Sequence, residues 1–110
     1  MDERDRRVAE NEILFRQVNE WRTRGLGAGE AQPVGEFEIL CECGDTRCMD
    51  RVVVTIEAYE LARSEPTDFL LKPGHEHPEF ETVIETYERF ELVRKTGEAA
   101  VLATKRDPRS

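Results

Sequence analysis

The chain has 110 residues, with 16 Lys or Arg against 24 Asp or Glu, a formal net charge of −8, and only 38% of residues in the hydrophobic set. That length suits one domain with a modest core. No run approaches the roughly 18 apolar residues that cross a bilayer, and the acidic balance argues against general binding to a phosphate backbone.

Residues 1–24 carry six basic and six acidic side chains and read as a helix from about Asp5 to Arg24. No Gly or Pro interrupts it, and Val8, Leu14, Val18 and Trp21 recur near helical spacing. Arg22 and Arg24 close its last turn, where the helix dipole favours cations. The N-terminus has no apolar export segment behind it, so the expected setting is the cytoplasm, with no membrane attachment. Residues 25–35 include Gly25, Gly27 and Gly29 and are expected to form a flexible linker. The helix then either packs on its own domain or pairs with another molecule. Its balanced charge suits pairing, so the expected contact is a protein partner or a homodimer through Val8, Leu14, Val18 and Trp21. In that arrangement the rest of the chain folds without it.

From Glu36 the texture changes. Phe37, Ile39 and Cys41 alternate with their neighbours as a strand does, and Arg51–Thr55 is a second strand around three valines. Gly44–Arg47 forms the turn between them. Thr55 caps a short helix over Ile56–Ser64 that Pro66 ends. Asp68–Lys72 reads as a third strand, closed by Pro73-Gly74. Pro78 suits a first helical position, and Phe80, Val83, Ile84 and Tyr87 follow at i, i+3, i+4 and i+7, which predicts a helix. Phe90–Arg94 returns to strand texture, Glu98–Thr104 forms a last short helix, and residues 105–110 are expected to fray. The fold class is therefore α+β. An N-terminal helix (1–24) precedes a small mixed domain (36–104) with a metal-stapled hairpin, short helices and three to four strands.

The chemistry concentrates in Cys41-x-Cys43-x4-Cys48. A disulfide framework would leave one thiol over, and a bridge between Cys41 and Cys43 would be strained. In a reducing compartment such clustered thiols point to metal. Zinc takes thiolate sulfur and imidazole nitrogen, and structural sites close with four protein ligands, Cys3His among them. The fourth ligand is then His75 or His77, the only histidines of the chain. His77 precedes Pro78 near a helix start, whereas His75 follows Gly74 and is freer to turn inward, so His75 is preferred and His77 is the alternative. Zinc suits this donor set; iron is the alternative metal.

A catalytic zinc would keep an open position and a nearby general base. Glu76 invites comparison with zinc deaminases, but the order of Cys and His, their spacing and the position of the Glu all differ from that signature. No HExxH, P-loop, GxGxxG or GxSxG motif occurs. The chain is therefore read as a small zinc-binding interaction or regulatory protein rather than an enzyme. A nucleic-acid- or transcription-associated factor using the N-terminal arginines is the second reading, and a metal-dependent enzyme or thiol redox sensor the third.

Phe37-Glu38-Ile39-Leu40-Cys41-Glu42-Cys43-Gly44, then Cys48, Thr55, Glu57, Tyr59-Glu60, Pro66, Phe69 and Pro73-Gly74-His75-Glu76 together resemble a family of short bacterial proteins with a CxCG-x3-C … PGHE pattern. The likeness continues through Tyr87, Phe90 and Lys95–Ala100, and includes Ala9-Glu10-Asn11-Glu12, Phe15-Arg16 and Asn19-Glu20. It implies a bacterial cytoplasmic protein and places His75 within the motif and His77 outside it. It implies no activity. A weaker likeness to SWIM-type zinc modules rests on Cys-x-Cys alone, since their closing Cys-x-His is absent.

Overall fold

The structure, a computed structural model, describes residues 1–27 and 35–109. Its order is α1 (Glu3–Gly27), β1 (Glu36–Leu40), β2 (Arg51–Thr55), α2 (Ile56–Arg63), β3 (Asp68–Leu71), β4 (Glu81–Thr86), β5 (Glu91–Lys95) and α3 (Gly97–Lys105). β1 and β2 form an antiparallel hairpin with Glu36 opposite Thr55 and Leu40 opposite Arg51. The other three strands form a separate antiparallel sheet in the order β3-β5-β4. The α+β class holds, with helices packed around two small sheets. Among the described residues no helix is long and apolar enough to cross a membrane.

One core joins both sheets. Ile39, Val52 and Val54 from the hairpin meet Phe69, Leu70, Leu71, Leu92 and Val93 from the second sheet, with Tyr59 and Ala62 of α2 between them. Thr55 caps α2 as its sequence predicts, its hydroxyl accepting the Ala58 N–H at 3.0 Å.

The helix expected from Pro78 to Tyr87 is instead a turn followed by β4, a fifth strand. Its apolar spacing has a different origin. Ile84 is an extra residue in the ladder: Val83 pairs with Val93 and Glu85 with Leu92. This bulge shifts the two-residue alternation by one position, so a strand mimics helical spacing. Thr82, Val83, Ile84 and Thr86 are β-branched, which favours the extended form.

Helix α1 runs three residues beyond Arg24 and takes in Gly25–Gly27 of the expected linker; residues 28–34 of that linker lie outside the described residues. Its orientation also departs from expectation. The buried face consists of Ala9, Glu12, Ile13, Arg16, Asn19 and Glu20. Leu14, Val18 and Trp21 lie roughly 160° around the axis from that face, at about 100° per residue, with Leu14 53% and Trp21 61% exposed. Of the expected apolar stripe only Val8 packs inward, near Phe80 and Ala99.

Long polar side chains can occupy the inner face because each one finds partners. The Arg16 guanidinium lies over the Phe69 ring and donates to the Pro66 and Ala103 carbonyls at 2.6 and 2.9 Å. Glu20 accepts from the Tyr59 hydroxyl at 2.7 Å and from Arg109. Glu12 and Glu81 share the Lys95 ammonium, and all three side chains are fully buried. Lys95 also sits against the faces of Phe69 and Phe80, where the ring quadrupole attracts a cation. Burial holds the Glu12 carboxyl well above its usual range in spite of Lys95. The expected frayed end is likewise engaged: Arg109 bridges Glu20 of α1 and Glu60 of α2.

Candidate metal centre

The chain leaving β1 presents two faces, and each has its own task. Cys41 and Cys43 point to one side. Leu40, Glu42 and Gly44 alternate with them and face α1. Asn19 clamps Leu40 as a neighbouring strand would: its side-chain oxygen accepts the Leu40 N–H at 2.9 Å and its amide donates to the Leu40 carbonyl at 3.0 Å. The same amide reaches the buried Glu42 carboxylate at 2.7 Å. Glu42 also pairs with the buried Arg63 and accepts the Leu70 N–H at 3.0 Å. Asn11 donates to the Gly44 carbonyl at 3.2 Å. Gly44 has φ of +75°, and a Cβ there would stand 2.5 Å from the Val8 carbonyl oxygen and 2.7 Å from Glu12 Cγ. Glycine is therefore required both by the turn and by the approach of α1.

On the other face the ligand atoms of Cys41, Cys43, Cys48 and His75 all lie within 4.8 Å of one another. Cys48 reaches the cluster from the turn after Gly44, where its N–H donates to the Asp45 carbonyl at 2.9 Å. His75 reaches it from the loop after β3, across the Pro73-Gly74 turn; Gly74 has φ of +90°. His75 Nδ1 stands 3.6 Å from Cys41 Sγ and 3.7 Å from Cys48 Sγ. Bonds of about 2.3 Å to sulfur and 2.0–2.1 Å to nitrogen at a tetrahedral angle place those atoms about 3.6 Å apart. The donor set and its spacing thus fit a tetrahedral metal.

The sulfur environment fits as well. The Lys72 N–H donates to Cys41 Sγ at 3.2 Å, the Asp45 N–H favours the Cys43 thiolate and the Asp50 N–H that of Cys48. Each sulfur therefore has a backbone donor that stabilises its charged form. Hydrogen bonding from the Cys41 thiol, with help from Asp45 and His75, brings Cys43 down to about 5. The Cys41 thiol is pushed up by the negative Cys43 beside it and by burial. Burial also raises Cys48. Negative charge on one sulfur disfavours it on the next, and a divalent ion would offset that repulsion.

His77 is not part of the cluster. Its Nε2 donates to the Cys43 carbonyl at 2.7 Å, and its ring stacks on Phe80 with centroids 5.2 Å apart. Its own N–H donates to Glu81 at 2.9 Å. His77 is thus tied to the backbone of the ligand segment after β1. Substituting His75 with Ala should weaken zinc affinity by at least tenfold more than His77→Ala, measured by competition with a chromogenic chelator. Equal losses would show that the two rings exchange at the metal.

Glu76 shares a shallow cavity with Cys43 and His75, and neighbouring Glu91 lowers its carboxyl. Glu91 accepts the Gly74 N–H at 3.1 Å and is pushed up to about 7 by burial and by Glu76. Glu91 thus ties down the turn that precedes His75. Sequence reasoning missed the clamps from Asn11 and Asn19 and the outer contacts of Asp50 and Lys72. Their signal was faint: two asparagines inside a helix, at positions facing the end of β1 and the segment that follows it.

No family model matches this chain, and neither the curated proteins nor the solved structures contain a significant match.

Proposed function

We propose that this chain is a small cytoplasmic zinc-binding protein whose Cys41, Cys43, Cys48 and His75 hold one structural zinc ion, and that it acts as a protein-interaction or regulatory module. The observation carrying this reading is the convergence of three thiols and one imidazole within 4.8 Å of one another, with His75 Nδ1 3.6 and 3.7 Å from two of the sulfurs. Four protein ligands fill the tetrahedron and leave no position for a substrate, as in structural sites. The bacterial family named above supplies the proposed kinship.

The contact role rests on α1. Its inner face is spent on the domain, while Leu14 and Trp21 remain exposed on the outer face; Trp is among the residue types enriched at the energetic centres of interfaces. The experiment is elemental analysis of untagged protein combined with sedimentation and pull-down of wild type and Trp21→Ala. The expected result is one zinc per chain in both proteins, with association lost only in Trp21→Ala. A chain that carries no metal after growth in zinc-replete medium overturns the zinc reading. Unchanged association in Trp21→Ala overturns the contact surface.

A further inference from the structure

We infer that Asp50 is the outer-sphere carboxylate of this metal centre, orienting His75 through its distal nitrogen. The inference rests on the zinc reading above. His75 directs Nδ1 at the sulfurs, so when that nitrogen binds metal, the ring proton resides on Nε2. Nε2 faces Asp50 Oδ2 at 3.9 Å. A metal-bound imidazole gains basicity and a fixed orientation when its other N–H has a carboxylate acceptor. Among the ion pairs of the described residues, Asp50 is the acidic partner of that ring.

Asp50 is itself held in place. Its Oδ2 lies 3.3 Å from the Lys72 ammonium, and its backbone carbonyl accepts the Cys41 N–H at 3.1 Å, continuing the hairpin ladder past Leu40. Lys72 closes the circuit, since its backbone N–H donates to Cys41 Sγ. One carboxylate and one lysine thus link Cys41, Cys48 and His75 without binding metal themselves. The Asp50 carboxylate also lies 3.8 Å from Cys48 Sγ. That contact disfavours two adjacent negative charges, so the gain at His75 has to exceed it. Lys72, beside the same oxygen, offsets the repulsion.

Asp50 is only partly buried, so its substitution leaves the core intact. The test is Co(II) and Zn(II) titration of the full chain as wild type, Asp50→Ala, Asp50→Asn, His75→Ala and the Asp50→Ala/His75→Ala double variant. Outer-sphere carboxylates of this kind typically change metal affinity by about 10–100-fold. We expect a loss near the lower figure in Asp50→Ala, with a shifted cobalt ligand-field spectrum, and a smaller loss in Asp50→Asn, which keeps an acceptor. In the His75→Ala background the Asp50→Ala change should bring no further loss, since only the opposing contact with Cys48 then remains. Wild-type cobalt binding with an unchanged affinity and spectrum in Asp50→Ala overturns this inference alone. An equal loss with and without His75 also overturns it, by assigning Asp50 to the sulfurs or to the hairpin. Failure of the wild type to bind either metal overturns the zinc reading, and this inference with it.

Discussion

Cys43→Ser will carry no zinc and will lose its cooperative unfolding transition. Cys43 is buried in the segment after β1 that α1 clamps. A serine hydroxyl ionises far less readily than a thiol and is a harder donor, so it cannot replace thiolate at a zinc site. Three ligands would remain, on two segments that the metal no longer ties together. Structural zinc contributes an apparent folding free energy of about 10–16 kcal/mol in small zinc-dependent peptides, as large as the whole stability of a typical domain, about 5–15 kcal/mol. Circular dichroism melts with and without zinc check this. Wild type should lose its transition on chelation, and Cys43→Ser should melt broadly and ignore the chelator. A sharp, metal-independent transition in wild type would mean that the core around Phe69 and Tyr59 suffices by itself.

The hairpin, the α2 cap and the α+β class were legible because each depends on a local signal: alternation through Ile39, a valine run at 52–54, and Thr55 before Ile56. The convergence of the cysteines with His75 was legible because metal chemistry restricts the ligand types. What escaped was non-local. β4 looked helical because one bulged residue, Ile84, resets a period of two. The inner face of α1 escaped because apolar periodicity assumes that buried faces are apolar. Here burial falls on Glu12, Arg16, Asn19 and Glu20, and each is stable only because Lys95, Phe69, Leu40 or Tyr59 waits opposite it. No window of the helix contains that information. Lys95, ending the strand Glu91–Lys95, hinted at it, since a fully buried ammonium requires carboxylates from elsewhere.

Removing residues 1–27 will leave the remaining chain unable to fold and unable to hold zinc, contrary to what an interaction helix on a linker implies. The hydrogen bonds that α1 makes to Leu40, Glu42, Gly44, Pro66, Ala103 and Tyr59 contribute about 0.5–1.5 kcal/mol each. Together they are comparable with the stability of the whole domain. Lys95 would keep one carboxylate where it now has two, and breaking a buried pair by removing one partner costs about 3–5 kcal/mol. The loss extends to the metal because Leu40, Glu42 and Gly44 interleave with Cys41 and Cys43, so one strip of backbone is held by the helix on one side and the ligands on the other. Two sites that stabilise one element are coupled reciprocally. Heteronuclear NMR of residues 28–110 with excess zinc should therefore show a collapsed, unfolded spectrum, and a peptide of residues 1–27 added in trans should restore both dispersion and zinc uptake. Asn19→Leu in the full chain gives the milder version: the helix remains, the clamp on Leu40 and Glu42 is lost, and zinc dissociates faster. A folded, zinc-loaded fragment lacking α1 would show that the polar inner face rests on the domain without supporting it.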